Sequence, residues 1–296
     1  MTLREPTTAD AEALAGLLNT QSLALDGSAE LSPESMRSWF DLPDLEMRVV
    51  DGPDGLEAYA DFVPTTGTDW AWIDLRQHPA HPDSGAALLD HFEARTLELG
   101  RSVARTIVRE RDAATRELVE SRGYAPIRYA FQMAVAIGDE PPAVFPDGIA
   151  VRVMRPGEEH DVYEAQNDAF ADHWGFHPDT FDSWRQWHLE RDGSRPDLWW
   201  LATDGDRIAG ICLNRMGDDG DPEHGYVHVL GVRRSWRRRG IAEALLRHSF
   251  HDFRGRGVSR VTLDVDGENT TGAVRLYERV GMHVQRRSDT YEKRLV

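Results

Sequence analysis

At 296 residues the chain exceeds one average domain, so two domains are expected. A formal net charge of −17 opposes general binding to nucleic acid, whose phosphates need a basic face. One cysteine, Cys212, excludes an intramolecular disulfide, and no apolar run nears the roughly 18 residues of a bilayer span. With no signal-like N-terminus, the expectation is a cytoplasmic protein with neither nucleic acid nor membrane as partner.

In chain order, Thr2-Leu-Arg4-Glu-Pro6 reads as a short strand leading into a helix. Ala71-Trp-Ile-Asp-Leu75 is a second strand, followed by a turn through His78-Pro79 and His81-Pro82-Asp83-Ser84 and a helix opening at Gly85-Ala-Ala-Leu-Leu. A further helix covers Glu117-Leu-Val119-Glu-Ser-Arg-Gly123-Tyr. The stretch 138–148 holds Pro141, Pro142 and Pro146 between glycines and has the composition of a linker. The pattern then restarts at Val151-Arg152-Val-Met-Arg-Pro156, and Arg275-Leu-Tyr277-Glu-Arg-Val-Gly281-Met aligns without a gap to Glu117–Tyr124. Such internal repetition predicts two copies of one fold, residues 1–137 and 149–296.

After the first helix of the second copy comes Phe170-Ala-Asp172-His173-Trp174-Gly-Phe176-His177-Pro178, continuing to Trp184, Trp187 and His188. Two readings stand. Either these aromatics enclose an apolar or cationic group, with Asp172 or a nearby acid holding an ammonium, or Trp184, Trp187 and Leu189 are the buried face of a helix. Next, the strand Tyr226–Val232 runs into a turn with five arginines between Arg233 and Arg239, then Gly240 and an amphipathic helix. Helix-start N–H groups lack intrahelical acceptors and carry about half a positive charge. Gly240 lets an anion approach the backbone and Ala242 keeps the next turn small, so the segment reads as a pyrophosphate cradle. Ala242, Leu246, Phe250 and Phe253 form one stripe, and Gly255 and Gly257 end the helix. Val261, Leu263 and Val265 alternate as a half-buried strand, followed by Asn269 and a helix from Ala273 to Gly281.

The spacing Arg237-x-x-Gly240-x-Ala242, with Asn269 and Ala273-Val-Arg-Leu-Tyr277-Glu-Arg-Val-Gly281-Met downstream, resembles the signatures of the GCN5-related N-acetyltransferases (GNAT). Met282 stands where that family usually has phenylalanine, a tolerable apolar swap. The tandem layout with a degenerate first half is similar to that of the mycothiol synthases, two-domain members of the family. The resemblance implies an α/β (α+β) fold of two GNAT-like domains, each a mixed central sheet flanked by helices. It implies acetyl-CoA as acyl donor, bound by Leu230, Gly231, Val232, Arg237, Arg238, Arg239, Gly240, Ile241, Ala242, Asn269 and Ala273, with no metal. The acceptor is then the amine of a small molecule, cationic to suit the acidic chain, attacking directly in a ternary complex. A CoA-binding sensor without turnover is the other reading.

Acyl transfer needs a proton for the leaving thiolate, and Tyr277 matches the family's tyrosine; a phenol is protonated at neutral pH and can donate it. Its alternative is a core aromatic, and that of Asn269 a loop cap. A backbone N–H near Leu230 would polarise the thioester carbonyl. The family glutamate that serves some members as base falls at about Tyr226, and this strand carries no carboxylate. His228, two residues on, titrates near neutrality and is the candidate base, or else a strand histidine satisfied by a carbonyl. Glu223 and His224 are the other polar groups nearby. In the first copy His81–Ser84 replaces the arginines, Arg111 stands for Asn269 and Val119 for Tyr277, which predicts a scaffold.

Overall fold

The structure, a computed structural model, describes residues 2–190, 194–269 and 272–296. The first half of the chain forms β1 (Thr2–Arg4), α1 (Ala11–Asp26), α2 (Pro33–Trp39), β2 (Glu46–Gly52), β3 (Gly55–Pro64), β4 (Trp70–Gln77), α3 (Ala86–Glu98), β5 (Val103–Arg109), α4 (Ala113–Ser121) and β6 (Ala125–Ala136). The second half repeats the series as β7 (Ile149–Val153), α5 (Glu159–Phe170), α6 (Phe181–Arg185), β8 (Trp199–Asp204), β9 (Arg207–Met216), β10 (His224–Val232), α7 (Ile241–Gly255), β11 (Arg260–Asp266), α8 (Ala273–Arg279) and β12 (His283–Arg294).

Two compact units result, and their membership crosses the sequence halves: the first takes in Arg286–Val296 and the second begins at Gln132. The sheet of the first unit runs β1-β2-β3-β4-β5 and ends on β12 from Arg286 on, and that of the second runs β7-β8-β9-β10-β11 and ends on β6 from Gln132 on, the same order with the last strands exchanged. In the first unit β12 pairs antiparallel with β5, from Ser288↔Arg109 to Arg294↔Val103. Lys293 adds an ion pair to Glu93 at 2.6 Å, and the Tyr291 hydroxyl donates to Glu120 at 3.0 Å.

Burial explains why the central strands lose their alternation. β3 is buried from Glu57 to Phe62 because helices cover both of its faces. Ala58, Ala60 and Phe62 pack with Leu88 and Phe92 of α3, whereas Tyr59 packs with Leu14 and Leu18 of α1. In the second unit Ile211 and Leu213 of β9 join Val162 and Ala165 of α5 and Trp184 of α6. On the opposite face of β9, Asn214 donates to Ser249 of α7 at 2.9 Å. α7 ends as its glycines predict: Gly257 has φ +87°, Val258 N–H reaches Phe253 O at 3.0 Å and Gly257 N–H reaches Arg254 O at 3.0 Å. No helix among the described residues is long and apolar enough to cross a membrane.

Candidate active site

The site is built on β10, where one extra residue changes what every later residue faces. Its ladder to β9 steps from Val227↔Asn214 to Val229↔Leu213, leaving His228 as the unmatched residue of a β-bulge. Because side chains alternate, an unmatched residue exchanges the faces beyond it. A Cβ on Gly225 would strike Phe253 of α7, but one on Gly231, six residues on, would strike Ala169 and Phe170 of α5. Gly231 is therefore required by helix packing, a reason the sequence motif does not show. The ladder from β10 to β11 runs from His224↔Arg260 only to Tyr226↔Thr262. Beyond it β10 stays paired with β9 to Val232↔Gly210, so its other edge is open among the described residues.

The arginine turn follows. Trp236 is buried, its indole N–H donating to Asp204 at 2.8 Å and its ring lying under the Arg207 guanidinium at 4.5 Å, which pins the turn to β8 and β9. Three of the five arginines are then engaged by the end of α5. Arg233 pairs with Asp168 at 2.6 Å and Arg234 donates to Asp172 at 2.9 Å. Arg237 spans Val232 O at 3.1 Å, Ala169 O at 2.9 Å and Asp172 at 3.0 Å. Its fork holds the turn together. The same pairs occupy Asp172, which corrects the idea that it awaits an ammonium. Arg238 and Arg239 are exposed, and among the described residues neither makes an ion pair.

Arg238 at φ +61° and Gly240 at φ +83° are both left-handed, and no atom lies within 4 Å of a Cβ built on Gly240. No side chain caps α7. The first-turn N–H groups at Ile241 and Ala242, unsatisfied within the helix, thus lie beside two unpaired guanidiniums. The predicted helix stripe is displaced by part of a turn: Ile241, Leu245 and Ser249 are buried with Leu246, Phe250 and Phe253, and Ala242 sits at the edge.

Tyr277 is 7% exposed, and burial, with Cys212 adding to it, pushes its phenol well above the ordinary value. Its hydroxyl makes no hydrogen bond among the described residues. Cys212 itself is closed off: Ser249 donates to its sulfur at 3.2 Å, it donates to Asn214 at 3.3 Å, and burial pushes its thiol up to about 12. Asn269 is half-buried in the turn after β11, its N–H on Asp266 O at 3.1 Å, and Ala273 opens α8 behind the left-handed Gly272.

On the α5 and α6 side, Trp184 is 3% exposed, packs on Trp199 and donates to Gln166 at 3.0 Å, so it is core rather than ligand wall. The residues Gln186–Glu190 form a π-helical turn, which turns His188 to within 4.9 Å of the exposed His228 ring. His228 lies 6.1 Å from the Tyr226 ring, confirming that these two share a face across the bulge. Phe170, His173 and Phe176 group at the end of α5, and burial lowers the His173 imidazole below its ordinary value. Trp174 is exposed. Two groups on the site face escaped the sequence reading: Asp264, which accepts the Tyr226 hydroxyl at 2.8 Å, and Arg215, whose guanidinium lies 4.5 Å over the Tyr226 ring. The polar residues Thr262, Asp264 and Asp266 alternating with Val261, Leu263 and Val265 were the available signal for the first.

Residues 159–282 match the family model described as Acetyltransferase (GNAT) family. A relative from Geodermatophilus obscurus, named mycothiol acetyltransferase, is 31% identical over 76% of this chain and 75% of its own length. The chain belongs to the GCN5-related N-acetyltransferase family. A GCN5-related N-acetyltransferase from Sphaerobacter thermophilus superposes with a TM-score of 0.81 at 33% identity, covering 99% of this chain and 95% of that one. A tandem GNAT protein from the clavulanic acid biosynthesis pathway, 15% identical, shares the fold at TM-score 0.79 over 99% of this chain and 98% of its own. The fold is accordingly a tandem of mixed α/β GNAT units, and the protein is an N-acetyltransferase with acetyl-CoA as acyl donor.

Proposed function

We propose that the second unit acetylates the amine of a small molecule related to mycothiol, by direct attack on acetyl-CoA in a ternary complex. The observation that carries this reading is the open edge of β10 above Tyr226↔Thr262, with the uncapped α7 start at one end and the buried Tyr277 contributed by α8. Mycothiol enters from the relatives' names, such as that of the Geodermatophilus obscurus protein.

In this reading Arg238, Arg239 and the N–H groups of Gly240, Ile241 and Ala242 hold the pyrophosphate, and Leu230, Gly231 and Val232 offer backbone groups to the pantetheine arm. Asn269 and Ala273 flank the arm from the β11–α8 side. Holding amine and thioester together supplies much of the rate. The ammonium sheds one proton to become nucleophilic and a second as the amide forms, and His228 at the bulge is the acceptor group. As the C–N bond forms and the C–S bond breaks, Tyr277 gives its proton to sulfur. Its raised pKa keeps the phenol protonated across the neutral range. Net, one proton reaches solvent per turnover.

The test is thiol release from acetyl-CoA against deacetylated mycothiol, amino sugars and simple primary amines. Turnover on at least one of them is expected. CoA binding without turnover on any would overturn the reading.

A further inference from the structure

The carboxylate that β10 lacks stands on β11. Asp264 lies two residues past the last ladder pair, Tyr226↔Thr262, where the two strands have ceased to pair. It is exposed, yet one of its oxygens is fixed by the Tyr226 hydroxyl at 2.8 Å. Tyr226 is fixed in turn, with the Arg215 guanidinium 4.5 Å over its ring and His228 6.1 Å away. Four other acids of this unit are ion-paired: Asp168 with Arg233, Asp172 with Arg234 and Arg237, Glu243 with Arg247, and Asp221 with Arg260. Asp264 makes no ion pair among the described residues, so its second oxygen keeps an uncompensated negative charge beside the open edge of β10. A carboxylate held by a phenol hydroxyl rather than by a cation is set up to receive a cation from outside.

We propose that Asp264, oriented by Tyr226, binds the ammonium of the acceptor, which makes the acceptor class a primary amine presented as a cation. The assignment rests on the acyl-transfer reading above. A charge-assisted hydrogen bond to a preorganised carboxylate holds the nitrogen in place until His228 takes its proton. Because Asp264 acts on the bound ground state and transition state alike, it contributes to binding and little to the chemical step.

Steady-state kinetics with whichever amine of the panel is turned over provide the test. Asp264→Asn is expected to raise the acceptor KM roughly 10- to 100-fold, with kcat within about threefold and the acetyl-CoA KM unchanged. Asp264→Glu recovers part of the loss, and Tyr226→Phe gives a smaller rise because the charge stays while its orientation loosens. An acceptor KM in Asp264→Asn within about twofold of the parent overturns the assignment, and so does a parallel fall of kcat and both affinities together with a lower Tm, which marks a structural role. Parent protein that turns over no amine sinks the acyl-transfer reading itself, and this assignment with it.

Discussion

Where Tyr226 meets Thr262 in the second unit, the same register in the first pairs Trp72 with Arg105, and two residues on Ile107 stands in place of Asp264. The helix that follows differs in the same sense. α7 starts uncapped behind the left-handed Gly240, with open space at its Cβ, whereas the N–H of Gly85 ahead of α3 is taken by the Gln77 side chain at 2.8 Å. Above the β4–β5 ladder, which ends at Ile73↔Thr106, the first unit also fills its slot with charge. Arg109 meets Ser22 at 2.7 Å, Asp26 at 3.0 Å and Glu30, and Arg76 meets Glu30 and Asp74. Burial and the neighbouring Arg76 push Arg109 down to about 10. Burial works against ionising Glu30, yet Arg76, Arg109 and Arg286 hold its carboxyl below the ordinary value. One topology thus occurs once with an uncapped helix start and once with a side chain on the equivalent N–H and the arginines beside it paired with acids.

Deleting residues 286–296 attacks the comparison most severely. It removes the partner of β5, the Lys293 pair with Glu93 and the Arg286 pairs with Asp26 and Glu30, all inside the first unit. The first unit is expected to lose its cooperative melting transition, read by calorimetry, although the deleted residues lie at the far end of the chain. A first unit that melts unchanged would show that the strand exchange is dispensable.

Tyr277→Phe is expected to lower kcat about 100-fold or more while acetyl-CoA still binds, measured by thiol release and by titration. The reciprocal Val119→Tyr should bring no activity to the first unit, since that position is fully buried and the slot is filled. A variant Tyr277→Phe with normal kcat would remove the general acid from the scheme.

The two helix-start glycines give a smaller contrast. Gly240→Ala forces a left-handed residue at roughly 1–2 kcal/mol without a clash, and it should raise the acetyl-CoA KM. Gly85→Ala would place its Cβ 2.8 Å from Gln77 Oε1 and from Leu75 Cδ1, so it should lower Tm and leave both KM values alone. Equal effects on the acetyl-CoA KM would mean that both helix starts bind the donor.

The last contrast concerns Asp61, away from the candidate site. Burial, then the Asp74 carboxylate, raises its pKa to about 8. The unfolded chain binds fewer protons than the folded one between that value and the ordinary carboxylate pKa, so this group's contribution falls as pH rises from about 4 to about 8 and is flat above. Asp61→Asn should flatten the Tm profile across that window. A slope as steep as the parent's would assign it to other groups.

Much of the candidate site was legible because its chemistry is local. Gly240, the helix after it and the Tyr277 helix each declare themselves within one turn of sequence, and the repeat exposed the first copy by what it lacks. Less legible were roles that depend on a partner far along the chain. Arg237 reads as a phosphate hand until Asp172, Ala169 and Val232 claim its fork, and Trp184 reads equally as wall or core until Trp199 and Val229 surround it.

By itself the sequence determined the tandem repeat and, in the second copy, the strand, arginine turn, glycine and amphipathic helix in that order, since these follow from backbone preference and side-chain period. Only the tertiary structure decided that the units exchange β6 and β12, that the bulge at His228 turns Gly231 toward α5, and that Asp264 on one strand is held by Tyr226 on the next. Strand partners and register arise from contacts between segments that no local pattern links, and a single unmatched residue in a strand reverses which side chains meet.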